Sequence, residues 1–262
     1  MGKYFTVAVT PDIVNGDISD VIQSNKTDLP FQQGDILFDW TAFDVPKGSV
    51  ALRSVCAYVM GEDGGEQADQ DIGLIFAKSI NGTAPASLGA PNALMSAGFD
   101  MPRHLIGSCK LEGGTEGMGT IDGPAFGQVY STFYSTGGNH GGGAGSLQVL
   151  EGEPNSGTNV GYDTIYVAAF CAGALDFSTG VLSTGAISAG ASATIAVDTV
   201  DARKCFQVGD TVYVHDVDTA AGTVKSVASG SIVLDAVTAA AVANNDEIIN
   251  ATPIRLTFGF EM

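Results

Sequence analysis

Short runs rich in valine, isoleucine and aromatic residues, bounded by glycine or proline, recur along this whole 262-residue chain, and no segment keeps a helical apolar period for three turns. Such a chain can bury its apolar side chains only on pleated strands, so the expected fold class is all-β. The clearest early strands are Asp35 to Phe43, Ser49 to Met60 and Asp71 to Ser79. In the second, alternation through Leu52, Val55 or Cys56, Tyr58 and Met60 is broken in a way that suggests a bulge. One short helix is expected, from Asp17 to Ser24, where Asp17 can cap and Val21 and Ile22 can dock.

Between Pro85 and Tyr162 the character changes. Glycine clusters at Gly113-Gly114, Gly137-Gly138 and Gly141 to Gly143 separate short apolar pieces, Gln128 to Tyr134 and Ser146 to Leu150 among them. Long excursions of this kind are usually functional or mobile, and in assembly proteins they commonly order against a neighbouring subunit. Their aromatic and aliphatic residues exceed what short local structure can bury. The expected interface is therefore Phe126, Val129, Tyr130, Phe133 and Tyr134, with the loop at His140 ordered by the same contact.

A strong strand returns at Tyr162 to Phe177, and composition shifts at Ser178-Thr179-Gly180, where a domain boundary is expected. From Val181 to Asn250 short strands follow at small-barrel spacing: Ala193 to Val197, Thr211 to His215, Gly222 to Ala228 and Ser231 to Leu234, with turns at Asp218 to Gly222 and Ser229-Gly230. The terminal run Pro253 to Glu261 alternates Ile254, Leu256, Phe258 and Phe260 with polar or small residues. So apolar a strand is an aggregation hazard as an open edge. It is expected to return to the main sheets, beside Tyr162 to Phe177. The expected architecture is an antiparallel β-sandwich of residues 1–177 plus 251–262, with a small β-barrel of residues 178–250 inserted near the C-terminus. A tandem arrangement is the alternative.

Composition limits what such a fold can do. Twenty-nine acidic residues against 11 basic ones give a net charge of −18, which repels phosphate backbones and anionic membranes, so neither nucleic acid nor membrane is an expected partner. Charged residues are only 15% of a chain that is 45% hydrophobic, a balance that suits a folded domain. Cys56, Cys109, Cys171 and Cys205 form no Cys-x-x-Cys pair and are expected to be buried thiols. The sequence from Met1 to Val7 lacks a secretory apolar run, and no stretch of about 18 uninterrupted apolar residues occurs, so cytoplasmic synthesis is expected. The glycosylation triplets at Asn25, Asn81 and Asn250 carry little weight on that expectation.

Catalytic signatures are missing: no phosphate-binding loop, nucleophile elbow or His-Glu-x-x-His occurs. His104, His140 and His215 are far apart in sequence and are expected to be solvated or hydrogen-bonded structurally. The run Gly141 to Gly145 has neither a following helix nor a nearby lysine and reads as a loop. The acidic stretch Glu62 to Asp71 lacks calcium-loop spacing and reads as a solvated hairpin tip. No catalytic residue, metal or cofactor is expected, although the carboxylate pair of a glycoside hydrolase meets only in space and keeps an enzyme as an open alternative.

The segment Phe206-Gln207-Val208-Gly209-Asp210-Thr211-Val212-Tyr213-Val214, followed by Ala221-Gly222-Thr223-Val224-Lys225-Ser226-Val227, Ser231 to Asp235, Ala239 to Ala243 and Asn244 to Ile248, resembles small β-barrel modules of tailed-bacteriophage structural proteins. The likeness covers about 70 residues. Similar strands also occur in bacterial adhesion and fibre proteins. The resemblance implies a non-enzymatic virion protein, closer to a capsid decoration protein than to a fibre because long internal repeats are absent. It implies partners that are copies of itself, in a trimer or larger ring, and other virion proteins such as the major capsid protein. A carbohydrate-binding or host-recognition module is the alternative, using Trp40, Tyr130 or Tyr134. Trp40 lies in the apolar run Ile36 to Trp40, however, and is expected to be core.

Overall fold

The computed structural model describes residues 2–14, 31–65, 70–95, 101–111, 113, 128–133, 148–154, 160–215 and 217–262; for 128–133 and 148 the backbone alone is described. The expected helix from Asp17 to Ser24 lies outside these residues. So do Phe126, Tyr134, His140 and the glycine run 141–145.

The described chain is all-β, with antiparallel sheets. A first sheet runs in the order β1 (Tyr4–Val9), β16 (Ile254–Glu261), β3 (Val50–Val59), β6 (Gln128–Phe133), with β7 (Gln148–Leu150) pairing the other end of β3. A second sheet runs β2 (Ile36–Pro46), β9 (Tyr162–Cys171), β4 (Ile72–Ala77), β5 (Leu105–Leu111), with β8 (Glu153–Pro154) on β9. Their facing sides share one core, in which Phe258 of β16 stacks on Phe43 of β2 at 5.2 Å and meets Phe76 of β4 edge-on at 5.5 Å. Aromatic pairs at these separations add about 0.5–1.5 kcal/mol beyond the area they bury.

β16 forms as its period dictates: Ile254, Leu256, Phe258 and Phe260 are buried and the residues between them are not. At about 1.5–3 kcal/mol for each fully buried apolar side chain, this strand anchors the sheet. It does not lie beside β9, as expected. It sits between β1 and β3 in the opposite sheet and reaches β9 only across the core. Both of its edges are hydrogen-bonded there, which removes the aggregation hazard more fully than a place beside β9 would require.

Two further expectations change in the first 111 residues. In β3 the core-facing residues after Leu52 are Val55, Ala57 and Val59, while Tyr58 is half-buried and Cys56 exposed. Arg53 is the extra residue opposite the Gly259–Phe260 step, and this bulge flips the parity, so Cys56 is not a buried thiol. Cys109, Cys171 and Cys205 are buried. The excursion from Pro85 is also more structured than expected, since Leu105–Leu111 forms β5 along the whole of β4.

A third sheet has the order β10 (Leu182–Ser183), β11 (Thr194–Asp198), β14 (Ser231–Leu234), β13 (Val217–Ala228), β12 (Thr211–Val214), β15 (Ile248–Asn250). The sheet curls like half a barrel, and residues at or beside its two end strands are hydrogen-bonded. The Ile248 N–H donates to Val181 O at 2.9 Å, and Ser183 exchanges backbone bonds with Asp246 and Asn245 at 2.9 Å each. Residues 218–222, expected as a turn, belong to the long strand β13. The reversal comes earlier, because Val214 already pairs with Val217. A second core fills this curl, with Val181, Ile195, Phe206, Val212, Ile232 and Ile248 in it. It takes in Met60 from the end of β3, while Tyr213 and Ile249 point the other way into the first core.

Candidate functional site

A buried polar cluster joins the two cores. Asp210 precedes β12, and its carboxylate is buried with both oxygens engaged. Oδ2 accepts from Gln207 N at 2.7 Å and from Asn250 Nδ2 at 3.0 Å, while Oδ1 accepts from the guanidinium of Arg255 on β16. Asn250 also donates to Cys205 O at 2.7 Å, and its Oδ1 accepts from Thr252 N at 2.8 Å and Thr252 Oγ1 at 3.2 Å. Thr211 N in turn donates to Thr252 Oγ1 at 3.1 Å. Burial pushes the Asp210 carboxyl up, against the opposing pull of the Gln207 N–H, Arg255 and Asn250. Burial also raises Tyr58, which lines the same narrow crevice, despite Arg255 beside it.

Cys205 closes this cluster from the short helix Ala202–Cys205, capped by Asp201, whose carboxylate accepts from Arg203 N. Its thiol donates to Thr179 O at 3.4 Å, and burial, with Asp63 nearby, pushes it up to about 12. A thiol so held stays protonated at neutral pH and is a poor nucleophile. Around the corner, Glu247 Oε1 accepts from Thr179 N at 2.7 Å and Gly180 N at 3.1 Å, which clamps the outgoing chain against the returning one. Two glycines permit the close approach. A Cβ on Gly64 (φ +66°) would lie 2.7 Å from the Lys204 backbone, and one on Gly180 (φ +58°) would strike the Asp63 carboxylate.

The acidic stretch is therefore not a plain hairpin tip. Glu62–Gly64 is a 3-10 turn seated on the Ala202–Cys205 helix, with Asp63 N donating to Ser178 O at 2.9 Å. Asp71 pairs with Lys110 at 2.6 Å and accepts from Gly113 N at 2.9 Å. Residues 66–69 lie outside the described set. Among the described residues no three His, Cys, Asp or Glu side chains gather as a metal-ligand set. His104 is buried with Nδ1 2.8 Å from Lys78 O, and the His215 N–H donates to Glu247 O at 2.9 Å.

The outward sides of the two large sheets differ. On the second sheet, Ile36, Leu88 and Ala168 form a small third core with Trp40, Ile75, Met101 and Phe170 packed on it. Trp40 is thus half-buried on an outer side rather than in the main core, with Nε1 donating to Ala86 O at 2.9 Å. On the first sheet, register puts Tyr4, Thr6 and Ala8 of β1, Thr257 and Gly259 of β16, and Ser54 and Cys56 of β3 on one outward side. Tyr4 is 71% exposed and Val149, at the same level on β7, is 62% exposed.

Of the expected interface residues, Val129, Tyr130 and Phe133 fall on β6, an outer strand of this sheet. Val129 pairs with Tyr58, Tyr130 with Ala57 and Phe133 with Ser54. Sequence reasoning did not find the Asp210–Asn250–Arg255 cluster. Its members are 40 and 45 residues apart, and its one local signal, the Gly209-Asp210 pair, reads equally well as an ordinary turn.

Comparison of the chain with known protein families finds no matching family, and no curated protein matches it.

Proposed function

We propose that this chain is a non-enzymatic structural protein of a virus particle, acting through protein–protein contacts, with decoration or cementing of a phage capsid as the specific role. The observation that carries the reading is the module from Phe206 to Asn250. Its β12, β13 and β14 are successive antiparallel neighbours in a curled sheet, the arrangement that the phage-module resemblance implies. The buried polar groups nearby also suit the reading, since the Asp210 cluster spends its donors and acceptors on holding two cores together.

Within this reading the two large sheets are a sandwich, and residues 178–250 are a barrel inserted between β9 and β16. In support, the outgoing residues Thr179 and Gly180 lie against the returning Glu247 and Ile248, as the neck of an insertion would. Replacing 178–250 by a short glycine linker should leave a cooperatively folding sandwich, and loss of all cooperative unfolding would favour the tandem arrangement.

The partners are copies of the chain and other virion proteins, met through the segment that includes Val129, Phe133 and Tyr134. Specific interfaces concentrate their energy in a few aromatics, so Phe133→Ala should weaken particle association by about 2 kcal/mol if it is central. The direct test is mass spectrometry of purified particles from cells that produce the chain. Its presence at a fixed structural copy number is the expected result. Recovery only in the soluble fraction overturns the reading.

A further inference from the structure

We propose that the outward side of the first sheet is a self-association surface, on which a second copy of this chain docks sheet to sheet. The proposal deepens the assembly reading and rests on it.

The argument starts from charge. At −18, two copies repel each other, and association is least costly where the surface is neutral. On this side the charged groups cancel in place: Arg53 pairs with Glu261, and Arg255 with Asp210. Among the described residues Tyr4, Thr6, Ala8, Cys56, Thr257 and Val149 remain outward, uncharged and exposed. Among the described residues of this face an acidic or basic partner would find no net charge to recognise, whereas an identical face meets it without burying an unpaired charge.

The second sheet supplies the contrast within the same molecule. There the chain covers its own outward side with Leu88, Met101 and Trp40. Among the described residues no comparable segment covers the first sheet, and Tyr4 and Val149 remain in water.

Geometry fits a two-fold pair. Twisted sheets stack face to face about 10 Å apart, and isologous dimers use one patch on both copies. Four strands about 4.8 Å apart, each about seven residues long at ~3.4 Å, give a footprint of roughly 450 Å² per copy. Two such footprints fall below the ~1,200 Å² of a standard stable interface, so the pair is reversible and concentration-dependent.

The experiment uses the full chain. Sedimentation of the parent from about 1 to 200 µM should show a shift from monomer toward dimer or a higher species. Thr257→Glu, in the middle of the face, should abolish the shift, whereas Val237→Glu, an equal charge change on the third-sheet unit, should leave it intact; circular dichroism checks that both fold. In the parent, a bis-maleimide with a spacer of about 10 Å should join Cys56 to Cys56, and Cys56→Ser should lose the product. A parent that stays monomeric overturns the proposal, as does association indifferent to Thr257→Glu. Particle mass spectrometry separates the two failures. A monomer found in particles leaves the assembly reading standing, and a dimer absent from particles leaves the face standing without it.

Discussion

The two large sheets bury the same kind of inner side and treat their outer sides differently. On the second, the loop that carries Leu88 and the short segment at Met101 fold back to build a third small core over Ile36 and Ala168. On the first, threonine, serine, alanine and cysteine face outward under no described cover, and the few charges are paired. The difference teaches where the chain completes itself and where it stops. An antiparallel sheet can leave one side to water. A side so free of net charge, on a chain so acidic, is the one we propose a like copy covers.

The shared inner side sets the largest expected effect. Phe258 meets both Phe43 and Phe76 of the opposite sheet, so Phe258→Ala should cost about 3–5 kcal/mol by chemical denaturation. A loss under 1 kcal/mol would mean that the sheets do not depend on one core, and the comparison of their outer sides would lose its basis.

Next comes the cluster that holds the two cores in register. Asp210→Ala strands the Gln207 N–H and one Asn250 donor and leaves Arg255 to re-solvate, so about 2–3 kcal/mol should be lost. The same residue gives a pH test. Because burial raises the folded carboxyl above its ordinary value, the folded state binds the proton more tightly than the unfolded chain. Asp210's contribution is then fully present below the ordinary carboxylate value and declines as pH rises through the raised folded one. The stability difference between the parent and Asp210→Asn should therefore shift in the parent's favour as pH falls through that window. A shift of opposite sign would mean that Arg255 outweighs burial.

The direct contrast of the outer sides is a difference of about 2 kcal/mol between two substitutions. Leu88→Ala on the covered side should cost about 2–3 kcal/mol, and Thr257→Ala on the bare side should stay within about 0.5 kcal/mol in dilute monomer. Equal costs would erase the distinction between them.

Much of this was legible in the sequence wherever the signal was local. The strands β2, β3, β4, β9, β14 and β16 are dense in β-branched and aromatic residues and end at glycine, proline or polar turns. β5 was missed because Gly107, Ser108 and Lys110 dilute its apolar residues on an outer strand, and β10 and β15 because two or three residues carry no period. The stretch Asp218 to Gly222 has turn composition, yet pairing with β12 at Val217 and Gly222, either end of it, holds it extended. Parity in β3 was misread because one bulged residue, Arg53, reverses every later position. The neighbour of β16 and the Asp210 cluster were out of reach for a common reason. Both depend on residues brought together over 40 to more than 200 positions, as when Arg53 meets Glu261. The third sheet's outline was nearer the surface, since its turns at Gly209-Asp210 and Ser229-Gly230 are marked by glycine.

Cys56 offers the most direct measurement, since it sits exposed on the bare side while the other three thiols are buried and two of them, Cys171 and Cys205, are pushed up to about 12. Maleimide labelling of the native chain, read by mass spectrometry, reports whether that face is covered. The account predicts rapid single labelling at Cys56 at low micromolar concentration, slowed at least five-fold at a few hundred micromolar, with the protection lost in Thr257→Glu. Labelling of Cys56 at one rate across that range, in parent and variant alike, would contradict it.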